Sequence, residues 1–341
     1  PVGRLTGITH AAGDGTALAG YGWTYDAAQR VTRFDSLIDG ATVYDYDDLD
    51  QLTGATSDYQ GSETYEYDEA GNRTGGPYVT GLLNQLEEDA AYLYRYDNEG
   101  NRTARIDKQT GKTTLYEWDY RNRLTTISSY DRDPEAFGDA VLQKTVTQTY
   151  DIWNQWIRRE VDSGSPLIAD TYFIYDAGQM VMRFNALRTS NMAQGRISSG
   201  TRYLWGPAVD QLLAEEGVRL QGSEGTLWQL TDNLGSVRDL AEYDEASGTT
   251  SVVNHITYDS FGNVTNETAA VDHLFGYTGR AYDEETDLQN NHNRWYDAAS
   301  GKWLSEDPIG FDGGDANLYR YVGNSATNAT DPSGLEGFWS N

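Results

Sequence analysis

The chain of 341 residues has no cysteine, only 3 methionines and 7 prolines, and 25 Lys+Arg against 53 Asp+Glu. Without cysteine, neither a disulfide nor a thiolate metal site can hold the fold, and the redox compartment is left open. The shortage of cations leaves a net charge of −28, which repels phosphate backbones and anionic membrane surfaces. Nucleic acid is therefore not an expected partner, and the main role expected of the charge is solubility. No apolar run approaches the length of a membrane span, and residues 1–30 lack the basic-then-apolar order of a signal peptide. Either the chain is soluble or its targeting segment lies outside this sequence.

Chemical signatures are missing too. There is no glycine-rich phosphate loop followed by lysine, no Gly-x-Ser-x-Gly elbow and no cysteine nucleophile, which removes support from most familiar enzyme classes. His10, His255, His273 and His292 show neither i,i+4 pairing nor a His-Glu-x-x-His pattern, so they read as ordinary surface or core residues and no metal or other cofactor is expected. The acidic run Asp45, Asp47, Asp48, Asp50 lacks the central glycine and terminal glutamate of an EF-hand and reads as a solvated strand edge. Paired carboxylates beside aromatics could suggest glycoside hydrolysis, but with 53 acids no pair is specified by spacing.

What is abundant is aromatic and turn-forming: 25 Tyr, 9 Trp and 36 Gly suit pleated strands joined by tight turns. One pattern recurs, an aromatic, then Asp, a polar turn, then Arg or Gln with an apolar or β-branched partner. Copies start at Tyr25, Tyr46, Tyr67, Tyr96 and Trp118, with weaker ones at Tyr150, Tyr175 and Tyr258. Self-similarity of this kind is the mark of a repeat architecture, and the spacing leaves room for about two strands of ~5–6 residues per unit. In YEYDEAGNRT, Tyr65 and Tyr67 fall on one strand face. Gly71 stands where a hairpin loop needs positive φ, and Asp68 and Asn72 are turn formers; Gly100, Asp97 and Asn101 repeat the arrangement. The expected fold is all-β: hairpins stacked into one extended curved sheet with a tyrosine ladder.

These Tyr-Asp units, with GNRT at Gly71 to Thr74 and Gly100 to Thr103, resemble the YD repeats of Rhs proteins, teneurins and the C components of Tc toxins. RYLWGPAVDQLLAEE from Arg202, LTDNLGSVRDL from Leu230 and YDSFGNV from Tyr258 are similar to the later part of Rhs cores. Phe275 to Leu335 resembles the Rhs repeat-associated core. The resemblance implies a partial Rhs-type spiral shell over residues 1–274, a closing or plug domain over 275–335, and the start of a variable C-terminal segment at 336–341. Departures from the pattern are Asp287 where Gly is usual, Asn290 where an aromatic is common, and Ala298 and Ala326 where Pro is frequent. Asp287 most threatens its turn, because glycine tolerates backbone angles that aspartate adopts less easily.

The resemblance also supplies the candidate site. Asp307 and Asp331 match the two aspartates to which the family's self-cleavage is attributed, Arg320 stands at a position that is often basic, and the scissile bond would be Leu335–Glu336. Two close carboxylates cannot both stay ionised, so one would keep a proton while the other activates water, in the manner of an aspartic protease acting within its own chain. Gly334 would let the backbone pass close to these acids. On residue types alone, Asp307-Pro308 and Asp331-Pro332 read as turn formers. The expected function is an encapsulating shell for a C-terminal effector, secreted or at the cell surface. It would partner that effector and other shell proteins, with self-association through sheet edges and no membrane insertion. The alternative is a non-catalytic extracellular recognition or structural protein.

Overall fold

The computed structural model describes residues 3–192, 195–219, 222–269, 271–335 and 338–339. It is 52% strand and 4% helix, as the aromatic and turn-rich composition requires. Every described strand pair is antiparallel, and within each sheet a strand bonds to its neighbours in sequence. A six-stranded meander runs from Gly7–Ala11 to Glu63–Thr64, and a sixteen-stranded one from Val79–Thr80 to Val264–Glu267. The single continuous sheet expected from the repeat is therefore divided. Between the two meanders lies only the small hairpin Glu66–Tyr67/Arg73–Thr74, followed by Gly75 and Gly76 at positive φ and by Pro77, which has no amide to give a ladder.

The repeat is legible atom by atom. In most copies the aspartate Oδ1 accepts the amides two and four residues on: Asp68 from Ala70 and Asn72 at 2.9 and 2.8 Å, and Asp97 from Glu99 and Asn101 at 2.9 and 2.8 Å. Asp47, Asp119, Asp151 and Asp259 do the same. The loop turns at its fourth residue, which takes positive φ in Gly71 and Gly100 and also in Gln29, Asp50, Asn122 and Asn154. In several copies the aromatic before the aspartate reaches back to the preceding unit. Tyr67 Oη donates to Leu52 O at 2.8 Å, Trp118 Nε1 to Arg102 O at 2.8 Å, Tyr150 Oη to Leu124 O at 2.7 Å and Tyr258 Oη to Val237 O at 2.9 Å. Each such bond satisfies a polar tip that the ring would otherwise bury unpaired.

Two sequence readings change here. The copy at Tyr175 is a plain hairpin: Asp176 pairs with Gln179, and Ala177 and Gly178 take positive φ, so no aspartate-capped loop forms. The acidic run is also no solvated strand edge. Asp47 caps its turn, and Asp50 occupies the left-handed position and pairs with Arg30 at 3.0 Å.

The ends of the meanders meet through side chains. Ala19, Tyr21, Trp23, Val31 and Phe34 share an apolar cluster with Leu230 and Ala241. Beside it, His255 Nδ1 lies 2.6 Å from Asp239 Oδ1 and its Nε2 lies 2.8 Å from Asp39 Oδ1, while Tyr21 Oη donates to Asp239. Residues 275–335 then fold against the meanders. Four short strands, Ala281–Asp283, Leu288–Asn291, Arg294–Asp297 and Lys302–Trp303, form a sheet of their own. Leu288, Trp295 and Leu304 join Leu124, Val146, Trp156 and Phe173 in the largest core, with Trp156 and Trp295 edge to face at 5.2 Å. Fully buried Arg102 pairs with Asp297 at 2.6 Å across this contact. Asp287 sits at φ 60, so the left-handed turn survives in the residue that was expected to threaten it.

Candidate functional site

The strand Arg294–Asp297 is buried along its length, and it carries Arg294 beneath the closing residues. The guanidinium stacks on Trp303, 4.2 Å from the ring centroid, which fixes its plane. Its Nη2 lies 2.8 Å from Asp307 Oδ2 and 3.4 Å from Asp331 Oδ2, so one nitrogen serves both aspartates. Its Nε donates to Gly334 O and its Nη1 to Leu318 O at 3.1 Å. Burial pushes the guanidinium below the ordinary arginine range, against the pull of the two carboxylates.

Asp331 is buried and shapes the turn that follows it. Its Oδ1 accepts the amides of Gly334 at 2.8 Å and Leu335 at 3.2 Å and the hydroxyl of Ser333 at 3.2 Å. Gly334, at φ 72, has so little room that a Cβ there would stand 2.6 Å from Asn291 O and 2.9 Å from Arg294 N. Asp307 comes from the other side. A Cβ on Gly313 would lie 3.2 Å from Asp307 Oδ2 and 3.3 Å from Leu335 O, so that carboxylate and that carbonyl flank the same glycine. Arg294, Asp307, Gly313, Asp331 and Leu335 line a cleft of about 240 Å³.

The structure thus brings Asp307, Asp331, Gly334 and Leu335 around one cleft. Glu336, the other half of the proposed scissile bond, lies outside the described residues. Arg320 also lines the cleft, but its guanidinium is bidentate on Asp315, at 2.7 and 2.8 Å, and reaches Gln51 Oε1 at 3.2 Å. Arg294 is the arginine on the aspartates, and sequence reading gave it no role. Its only signal was a lone basic residue inside the apolar-aromatic run Arg294-Trp295-Tyr296. With a guanidinium between them, the two carboxylates are charge-compensated, and sharing a proton is not the one way they can coexist.

Residues 218–326 match the Teneurin YD-shell family. The chain is 28% identical over 264 residues to the tRNA3(Ser)-specific nuclease WapA of Bacillus spizizenii, a match covering 74% of this chain and 10% of that protein. It is 25% identical over 286 residues to the probable deoxyribonuclease RhsB of Dickeya dadantii, covering 78% and 17%. Its fold resembles a chain of the Photorhabdus luminescens Tc holotoxin pore with a TM-score of 0.73 at 17% identity, over 99% of this chain and 18% of that one. The chain spans less than a fifth of the length of each of these proteins. No described helix is long and apolar enough to cross a membrane. The aspartate-capped repeat, the YD-shell match over residues 218–326 and the shared fold make this chain similar to the Rhs/YD-repeat proteins.

Proposed function

We propose that this chain is the closing end of a secreted or surface-delivered toxin shell, and that its cleft cuts the chain after Leu335 to free a C-terminal effector. Residues 275–335 act as the plug domain on the shell of residues 1–274, and 336–341 begin the released segment. The observation that carries this reading is the convergence of Asp307 and Asp331 on one nitrogen of Arg294 beside the Leu335 carbonyl. The relatives are named for nucleases and the structural neighbour for a toxin pore, which suits a shell that carries an enzymatic cargo.

In this reading Asp331 holds the Gly334 and Leu335 amides and so presents the scissile carbonyl. Asp307, on the carbonyl side, takes the proton of the attacking water and passes it to the departing amide nitrogen. Arg294 pairs with Asp307 and stabilises charge as the tetrahedral intermediate forms. The test is a pair of arginine variants in a chain extended past residue 341. Arg294→Gln should slow release of the downstream segment by orders of magnitude, while Arg320→Gln should leave it close to wild type. Equal effects of the two, with both variants folded by circular dichroism, would overturn these roles.

A further inference from the structure

Asn72 and Lys302 are 230 residues apart in sequence and meet where the strand Lys302–Trp303 lies against the Asp68 turn. Lys302 Nζ is 3.2 Å from Asn72 Oδ1, and the two residues are 5% and 2% exposed. That oxygen also accepts Asn317 Nδ2 at 2.8 Å. Asn72 Nδ2 in turn donates to Asp68 Oδ2 at 3.1 Å and to Asn84 Oδ1 at 2.8 Å. The carboxamide is thus polarised at both ends, with an amine against it and water largely excluded.

The amine is in an unusual state for a lysine. Burial first, then the nearby positive charges of Arg73, Arg102 and Arg320, bring it down to about 7 despite the attraction of Asp68. Among the described residues no carboxylate lies within ion-pair distance of it. A desolvated amine crowded by cations is the setting in which lysine becomes a nucleophile at neutral pH.

We propose that Lys302 and Asn72 join in an intramolecular isopeptide bond that fastens the closing strands to the repeat turns. Neutral Nζ swings from Oδ1 to attack Cγ, and the charge developing on Oδ1 is held by Asn317 Nδ2. The Nζ–Cγ bond forms, a proton passes from Nζ through Asp68 to Nδ2, the Cγ–Nδ2 bond breaks, and ammonia leaves. No oxidant, water or cofactor enters the balance. Asp68 is the proton carrier because it already touches the leaving nitrogen, while its other oxygen serves the turn amides. The remaining carboxamide contacts become the cradle of the new amide.

The test is the intact mass of the whole chain under denaturing conditions, followed by a tryptic digest. The wild type should be lighter than its sequence by one ammonia. Its digest should join the Asn72 peptide to the Lys302 peptide, with no cut after Lys302. Asn72→Ala and Lys302→Met should restore the sequence mass, and Asp68→Asn, which keeps an oxygen for the turn, should slow the loss of ammonia. Should a variant fail to fold, the wild-type mass and digest still decide. A wild type at full sequence mass overturns the proposal, and so does an ammonia deficit that maps to an uncrosslinked asparagine.

Discussion

His255 should make the junction between the two meanders sensitive to alkaline pH. Its ring is held between Asp239 and Asp39, at 2.6 and 2.8 Å, with Tyr21 also on Asp239 and Arg238 close to Asp39. The hydrogen bonds to Asp239 and Asp39 outweigh burial and raise the imidazole from 6.5 to about 9. The residue is only 8% exposed, so solvent screening discounts this little. At about 1.4 kcal/mol per tenfold change in proton affinity, the protonated ring contributes about 3 kcal/mol. The folded value lies above the unfolded one. The stabilisation is therefore fully present below about pH 6.5 and is lost as pH rises through about 9. Urea unfolding of wild type and His255→Gln across this window should show wild type losing about that amount while the variant stays nearly flat. Parallel curves for the two proteins would refute the reasoning, because the pH dependence would then belong to other groups.

Three further outcomes follow from the packing. Asp297→Asn leaves Arg102 buried without its counter-charge and should cost about 3–5 kcal/mol, measured as a drop in denaturation midpoint. Gly262→Ala forces a Cβ to within 2.3 Å of the Tyr277 ring at φ 92, so it should lower the thermal midpoint by several degrees, consistent with a cost of at least about 2 kcal/mol. Among the described residues the outer strands Gly7–Ala11 and Val264–Glu267 each have one neighbour, so light scattering should find concentration-dependent association that weakens when Thr9→Pro blocks the first edge.

Much of the fold was readable because the repeat encodes its own turn. Aromatic, aspartate and the positive-φ residue four places on, as in Tyr67, Asp68 and Gly71, specify a local hydrogen-bond set that needs no tertiary information. The division of the sheet at Gly75-Gly76-Pro77 was hidden, since three residues had to be weighed against a pattern that continues on both sides. The plain hairpin at Ala177-Gly178 was hidden for a related reason. Its Tyr-Asp pair matches the motif, but one loop residue fewer leaves no amide for the aspartate to cap. In the site, Asp307 and Asp331 were visible through the motif. Arg294 was not, because its role depends on burial against Trp303 and on two loops that reach it from 13 and 37 residues away. Arg320 was the more conspicuous arginine, and its commitment to Asp315 is purely tertiary information.

The central claim is that the cleft around Arg294 cuts the chain it belongs to. Denaturing mass spectrometry of a freshly made chain extended through a full downstream segment tests it directly, since a shell can retain a cleaved product and native methods would miss the break. The account predicts two fragments divided after Leu335 in the wild type, and one intact chain in Asp331→Asn and in Asp307→Asn, each folded as the wild type is. An unbroken wild-type chain would contradict it.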